Sequence, residues 1–130
     1  MASGQTSNYK LNQWAAEDPV LRTDFNQDNA KLDAALNSMG CTAGFYEGDG
    51  TAGRLIELGF PPKAVLIIRD GGIFNTSGSV SSSSWGALAV TGRPAKAYGG
   101  GQLAKVAETG FQVWGNVNSS GYTYHYLAMK

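Results

Sequence analysis

The chain has 130 residues, 42% of them hydrophobic, and its ten basic residues cancel its ten acidic ones to a formal net charge of zero. That length allows one domain with an appendage, burying roughly two-thirds of its unfolded surface. Balanced charge excludes global electrostatic capture of nucleic acid or an anionic membrane, and a single cysteine, Cys41, excludes an internal disulfide framework. Charged residues make up only 15% and glycines number 18, a composition that suits a turn-rich β fold.

The first eight residues are polar, with neither an apolar stretch nor a basic cluster, so no signal peptide is expected. No run of about 18 apolar residues predicts a membrane span. The expectation is a soluble product made in the cytoplasm, without membrane insertion. Residues 1–13 have no hydrophobic period and read as an extended arm anchored by Tyr9, Leu11 and, just beyond it, Trp14.

Asp18-Pro19 is one candidate helix start, with aspartate capping and proline in the first position. Thr23-Asp24 is a second, and the stretch from Phe25 to Met39 reads as helix stopped by Gly40. Leu21, Phe25, Leu32, Leu36 and Met39 make a narrow apolar stripe, with Ala35 beside it. Such a stripe suits a helix packed on its own domain, a three-fold bundle, or a plug into a larger assembly.

Residues 9–14 (Tyr-Lys-Leu-Asn-Gln-Trp) and 21–36, from Leu21-Arg22-Thr23-Asp24-Phe25-Asn26 to Ala35-Leu36, resemble the N-terminal segment of phage and prophage tail-fibre-type proteins. That pattern runs Y-x-L-N-x-W … R-x-D-F-N-x-D-N-x-K-I-D-x-A-L. The resemblance implies attachment to a virion, commonly as a trimer, through Tyr9, Leu11, Trp14, Leu21, Phe25, Leu32, Leu36 and Met39.

The β region opens at Tyr46. Gly48-Asp49-Gly50 supplies a tight turn, and Arg54 to Leu58 reads as a strand with one wet face. Val65 to Ile68, fenced by Pro61-Pro62 and Asp70-Gly71-Gly72, reads as a strand buried on both faces. Gly71 to Ser84 is a polar loop, and Trp85 to Val90 a buried strand. Arg93-Pro94 breaks the pattern and Tyr98-Gly99-Gly100-Gly101 turns the chain. Leu103 to Ala107 is a short strand, and Gly110 to Gly115 alternates. Asn116 to Ser120 turns into a last strand with Tyr122, Tyr124, Tyr126 and Ala128 on one face. Thr123, His125, Leu127 and Met129 take its other face. With both faces partly apolar, this strand is expected to be central.

About seven strands at spacings near ten residues predict an antiparallel β-sandwich, jelly-roll-like, preceded by the extended arm and one amphipathic α-helix. The expected division is 1–40 and 41–130. The ends of residues 46–130 resemble the distal β domain of phage tail and fibre proteins (Y-x-G-D-G … I-x-L-G-F-x-P-K-A-V-L, then G-F-x-V … N-x-S-G-x-x-Y-x-Y-L-A).

Chemistry has little to stand on. His125 is the only histidine and sits mid-strand among tyrosines, where a structural role outweighs that of a general base. Cys41 finds no third group at a telling spacing. Asp24, Asn26 and Asp28 mimic the start of a calcium loop, but Asn29 stands where that loop needs glycine and Ala35 where it needs glutamate. No enzyme, metal or cofactor is expected. Trp85, Tyr98 and Trp114 are the candidate recognition aromatics, and loops 71–84 and 91–102 the candidate outer surface. Basic residues near them are too few for nucleic acid.

The expectation is therefore a non-enzymatic virion structural protein, a small trimeric tail-fibre or tail-tip component. Its expected partners are copies of itself, other virion proteins, and a host-surface glycan or protein. Two rivals stay open: a capsid decoration protein clamping shell subunits, and a carbohydrate-binding module reading a receptor.

Overall fold

The computed structural model of the chain describes residues 1–71, 86–97 and 99–130. The backbone divides into two compact units, Met1–Gly40 and Cys41–Lys130.

In the first unit, strands β1 (Gly4–Gln5) and β2 (Asn12–Gln13) pair antiparallel and precede helix α1 (Arg22–Ser38). The segment expected as an extended arm therefore closes into a small ribbon. Thr6 and Leu11 hold its turn, the Leu11 N–H donating to Thr6 Oγ1 at 3.0 Å and the Thr6 N–H to the Leu11 carbonyl at 2.8 Å. Asp18, expected as a helix cap, instead gathers the ribbon. Its Oδ2 accepts the Ser3 hydroxyl at 2.6 Å, the Ala15 N–H at 2.8 Å and the Ser3 N–H at 2.9 Å. These bonds, the Ser3 hydroxyl's first, hold its carboxyl below the usual range. The helix begins at Arg22, after Leu21, with Asp24 in its first turn where a carboxylate suits the helix dipole. No described helix is long and apolar enough to cross a membrane.

The second unit is an antiparallel β-sandwich. Its strands among the described residues are β3 (Cys41–Glu47), β4 (Arg54–Glu57), β5 (Ala64–Arg69), β6 (Gly86–Val90), β7 (Ala95–Lys96), β8 (Gln102–Val106), β9 (Gly110–Val113) and β10 (Thr123–Met129). They form two four-stranded sheets, ordered β3-β10-β5-β6 and β4-β9-β8-β7. Strand β10 is central, between β3 and β5. A short 3-10 turn, Gly115–Val117, leads from β9 toward β10. Strand β7 has no sequence signal of its own: it is two residues long and follows directly on Pro94.

The core lies between the sheets. Val65, Ile67, Ala89, Tyr124 and Ala128 of one sheet meet Ala104, Phe111 and Val113 of the other, with Val117 closing one end. Tyr46 stacks on Tyr124 with ring centroids 5.3 Å apart and sets its ring at an angle to Phe111 at 6.2 Å. Such pairs add about 0.5–1.5 kcal/mol beyond the area they bury. Both phenols find acceptors, Tyr46 in the Val117 carbonyl and Tyr124 in the Asn116 carbonyl at 2.9 Å. Burial, aided by the neighbouring Tyr124, raises the Tyr46 phenol above its ordinary pKa.

Two glycines are fixed by close approach. A Cβ on Gly110 would sit 2.0 Å from the Ile56 carbonyl oxygen, and one on Gly48 would sit 2.0 Å from that of Ser119. The expectation of a doubly buried Val65–Ile68 strand is corrected. Val65 and Ile67 are fully buried, but Leu66 is exposed, because within Cys41–Lys130 no described strand lies over the other side of this sheet.

Candidate functional site

The helix buries an unexpected stripe. Asp24, Asp28, Lys31 and Ala35, spaced four, three and four apart, are its covered positions. The ribbon meets the first three of them. The Asn12 N–H donates to Asp28 Oδ2 at 2.9 Å, the Asn12 amide to Asp28 Oδ1 at 3.1 Å and to the Asp24 carbonyl at 3.2 Å. Lys31 pairs with Asp28 at 3.5 Å and donates to the Lys10 carbonyl, where Lys10 takes a positive φ of 55° to close the turn. Charge-assisted bonds of this kind are the stronger sort.

The apolar stripe lies beside that covered one and faces solvent. Leu36 is 70% exposed, Met39 69% and Phe25 49%, and Leu21 and Leu32 are also exposed. Trp14 is half-buried and stacks on Phe25 at 5.2 Å, Leu11 is half-buried, and Tyr9 is exposed. The residues expected for attachment thus fall into an inner pair, Leu11 and Trp14, and an outward row. The covered face of the helix is thus mostly polar and its leucines stay exposed, unlike an ordinary surface helix.

The second apolar surface was not expected as a site. On the outer face of the β3-β10-β5-β6 sheet, register places Ala43, Leu127, Leu66 and Leu88 in one row across all four strands. Cys41, Met129, Ala64 and Val90 form the next row, and Phe45, His125, Ile68 and Gly86 the row on the other side. Phe45 is 67% exposed, Leu88 60%, Met129 53%, Leu127 44%, Leu66 39% and Val90 37%. The signal was present in the alternation of β10, where Leu127 and Met129 share a face with His125. Cys41 and His125 share this face, but four residues of strand, roughly 13 Å, separate their positions.

Of the candidate recognition aromatics only Trp114 lies among the described residues. Trp114 is half-buried with its ring against Gly53, where a Cβ would come within 3.3 Å of it. Tyr124 lies in the core, and the Tyr126 ring covers Gly44 on the neighbouring strand. Tyr122 is exposed, with the Arg69 guanidinium 3.7 Å from its ring centroid. Trp85, Tyr98 and loop residues 72–84 lie outside the described residues.

A polar clasp joins the turn after β3 to the turn before β10. Asn118 is fully buried and donates to Asp49 Oδ1 and to the Thr51 carbonyl, both at 2.8 Å. Its own carbonyl accepts the Gly50 N–H at 2.7 Å. Arg54 pairs with Asp49 at 3.4 Å and donates to the Glu47 carbonyl. The Thr51 hydroxyl and N–H, then Asn118 and Arg54, lower the Asp49 pKa to about 2. The polar groups of this cluster answer one another, which suits a structural fastening. A shallow groove of about 620 Å³ runs beside Pro61, Pro62 and Thr91, with Lys105 and Glu108 its charged lining.

Comparison with protein-family models, with curated proteins and with solved structures found no match.

Proposed function

We propose that this chain is a non-enzymatic structural subunit of a phage particle, a small tail-fibre or tail-tip component. Residues 9–39 supply its attachment and three-fold contact. The observation that carries the reading is the outward apolar row Leu21, Phe25, Leu32, Leu36 and Met39, beside a covered face made of the polar Asp24, Asp28 and Lys31. Removing such side chains from water contributes about 25 cal/mol per Å², a stabilisation available only when a partner covers them. The resemblance of residues 9–36 to tail-fibre attachment segments supports the same reading. The partners are copies of this chain and other virion proteins, and the β unit is the part offered to a host-surface glycan or protein.

Two measurements test it. Mass spectrometry of purified particles is expected to find the chain, and immunogold labelling to place it on the tail. Label on the head would favour a decoration protein, and absence from particles would overturn the proposal. In solution, Leu32→Glu with Leu36→Glu is expected to cut the native mass three-fold while leaving the circular dichroism unchanged.

A further inference from the structure

The free edge of strand β3 carries an inference that rests on the unit Cys41–Lys130 alone. We propose that this edge pairs antiparallel with the same edge of another copy of the chain, about a two-fold axis at Ala43. Three observations lead there.

The first is the state of the edge. Strands β3, β6, β4 and β7 end the two sheets, and a sheet edge is a template for further pairing unless it is blunted. Strand β7 is two residues long, follows Pro94 and shifts register between Ala95 and Lys96. Strand β4 is four residues long with a charge at each end, Arg54 and Glu57. Strand β6 is turned back at its end, Val90 and Arg93 exchanging backbone bonds of 3.1 and 2.9 Å. Strand β3 has none of these devices. It runs seven residues without proline, lysine or arginine and meets β10 in unbroken register.

The second is which groups are free. The Gly48 N–H donates to the Tyr122 carbonyl and the Asp70 N–H to the Thr123 carbonyl, both at 2.8 Å. Strand β10 therefore turns the backbone of its even-numbered residues to β3 and of its odd-numbered ones to β5. The even-numbered residues of β3 bond β10 in return. Cys41, Ala43 and Phe45 turn their N–H and C=O groups the other way, and all three residues are exposed. Among the described residues no hydrogen bond reaches those groups. Glu47 faces the same way, but its carbonyl accepts the Arg54 guanidinium. Successive outward residues, each with an unused donor and acceptor, fit one kind of occupant, an extended strand.

The third is self-complementarity, which points to a second β3 as that strand. With the axis at Ala43, Cys41 faces Phe45 of the second copy, Phe45 faces its Cys41, and Ala43 faces Ala43. The free groups of one edge then meet the free groups of the other, and Glu47 keeps its bond to Arg54. Identical side chains must meet on the axis, and a methyl group is the smallest that can. Elsewhere large lies against small. Phe45 meets Cys41 on one face, and on the other Thr42 meets Gly44, which has no side chain beneath the Tyr126 ring. The one charge in β3, Glu47, lies beyond the paired residues, and antiparallel pairing keeps its two copies roughly 27 Å apart. Parallel pairing would bring like charges together.

So short a pairing buries well under the about 800 Å² per partner of a standard interface. The contact is therefore weak, with a dissociation constant of about 1 mM, and closes only where copies are crowded. Hydrogen exchange of the full chain reads it. Between about 10 µM and about 1 mM, the amides of Cys41, Ala43 and Phe45 are expected to slow about two-fold while those of Thr42, Gly44 and Tyr46 stay unchanged. Ala43→Pro is expected to abolish the slowing at Cys41 and Phe45 with the circular dichroism unaltered, because the lost N–H is not one that bonds β10. Amides that are slow at every concentration would mean that the chain covers this edge itself, and amides that never slow would mean that nothing pairs there. Either result overturns the proposal.

Thiol trapping tests the register. Ala43→Cys in a Cys41→Ser background sets two thiols on the axis with Cα atoms about 5.5 Å apart, within disulfide reach. Leu32→Glu and Leu36→Glu are added, so that the helix contact plays no part and its failure is read separately, from the native mass. Under mild oxidation this variant is expected to form a disulfide-linked dimer at least ten-fold faster than Leu88→Cys in the same background, an exposed position on the far strand of the sheet. Equal rates would mean chance collision and would overturn the proposal. A disulfide formed in purified particles between the introduced thiol and a different protein would overturn it too, in favour of a foreign strand.

Discussion

The outer row Leu55, Gln112 and Lys105 of one sheet and the outer row Ala43, Leu127, Leu66 and Leu88 of the other hold equivalent places in the sandwich. Both inner faces supply the core, and both sheets have four strands. Their outsides differ in finish, one polar and charged, the other aliphatic and uncharged. A lone leucine on a surface needs no explanation, but four strands' worth in register does. The difference teaches that an apolar residue leaves the same imprint on a sequence whether or not the folded chain covers it. Only the folded chain tells the two cases apart.

Substitutions on either side of the apolar sheet sharpen that contrast. Phe111→Ala, on the inner side, removes a fully buried ring and is expected to destabilise the unit by about 4 kcal/mol in urea unfolding. Asn118→Ala removes one of several donors to the Asp49 carboxylate and the side-chain donor to the Thr51 carbonyl, and is expected to cost about 2 kcal/mol by the same measure. On the outer side, Leu88→Ser in a dissociated background is expected to stay within about 0.5 kcal/mol of the parent. A loss there as large as that for Phe111 would mean the outer face is covered within the chain, and the contrast would fail.

Acid provides the smallest test. The folded pKa of Asp49, about 2, lies below the ordinary aspartate value of 3.8, so its ionised form favours the folded state. That stabilisation is fully present above about pH 4 and is lost as pH falls through 2. Thermal melts of Asp49→Asn and the parent should therefore differ at pH 6 and converge by pH 2. A gap that stays constant would remove the clasp's electrostatic role.

The sequence pattern and the fold agree where periodicity is the cause. Strand β10 alternates as its tyrosines and Ala128 require, and the antiparallel β-sandwich class follows from strand spacing. Strand β5 reads as doubly buried because Val65 to Ile68 fills both parities with aliphatic residues. Periodicity reports that a face is apolar, not who covers it. The helix poses the same limit in reverse. Its apolar stripe is legible, but the covered positions are Asp24, Asp28 and Lys31, which bind the ribbon through hydrogen bonds that leave no hydrophobic signal. Strand β7 and the ribbon are pairs of two-residue scale, below the reach of any pattern. Within the clasp, only the Asp49–Thr51 turn is readable locally, since an aspartate two residues before a threonine suits that turn. Asn118 reaches it from 69 residues away.

The central claim is that the exposed apolar row of the helix is a contact between subunits. Light scattering of the full chain from about 1 to 100 µM, a range spanning ordinary subunit affinities, tests it most directly. A native mass settling at three chains is the predicted result. A monomer across the whole range would contradict the account.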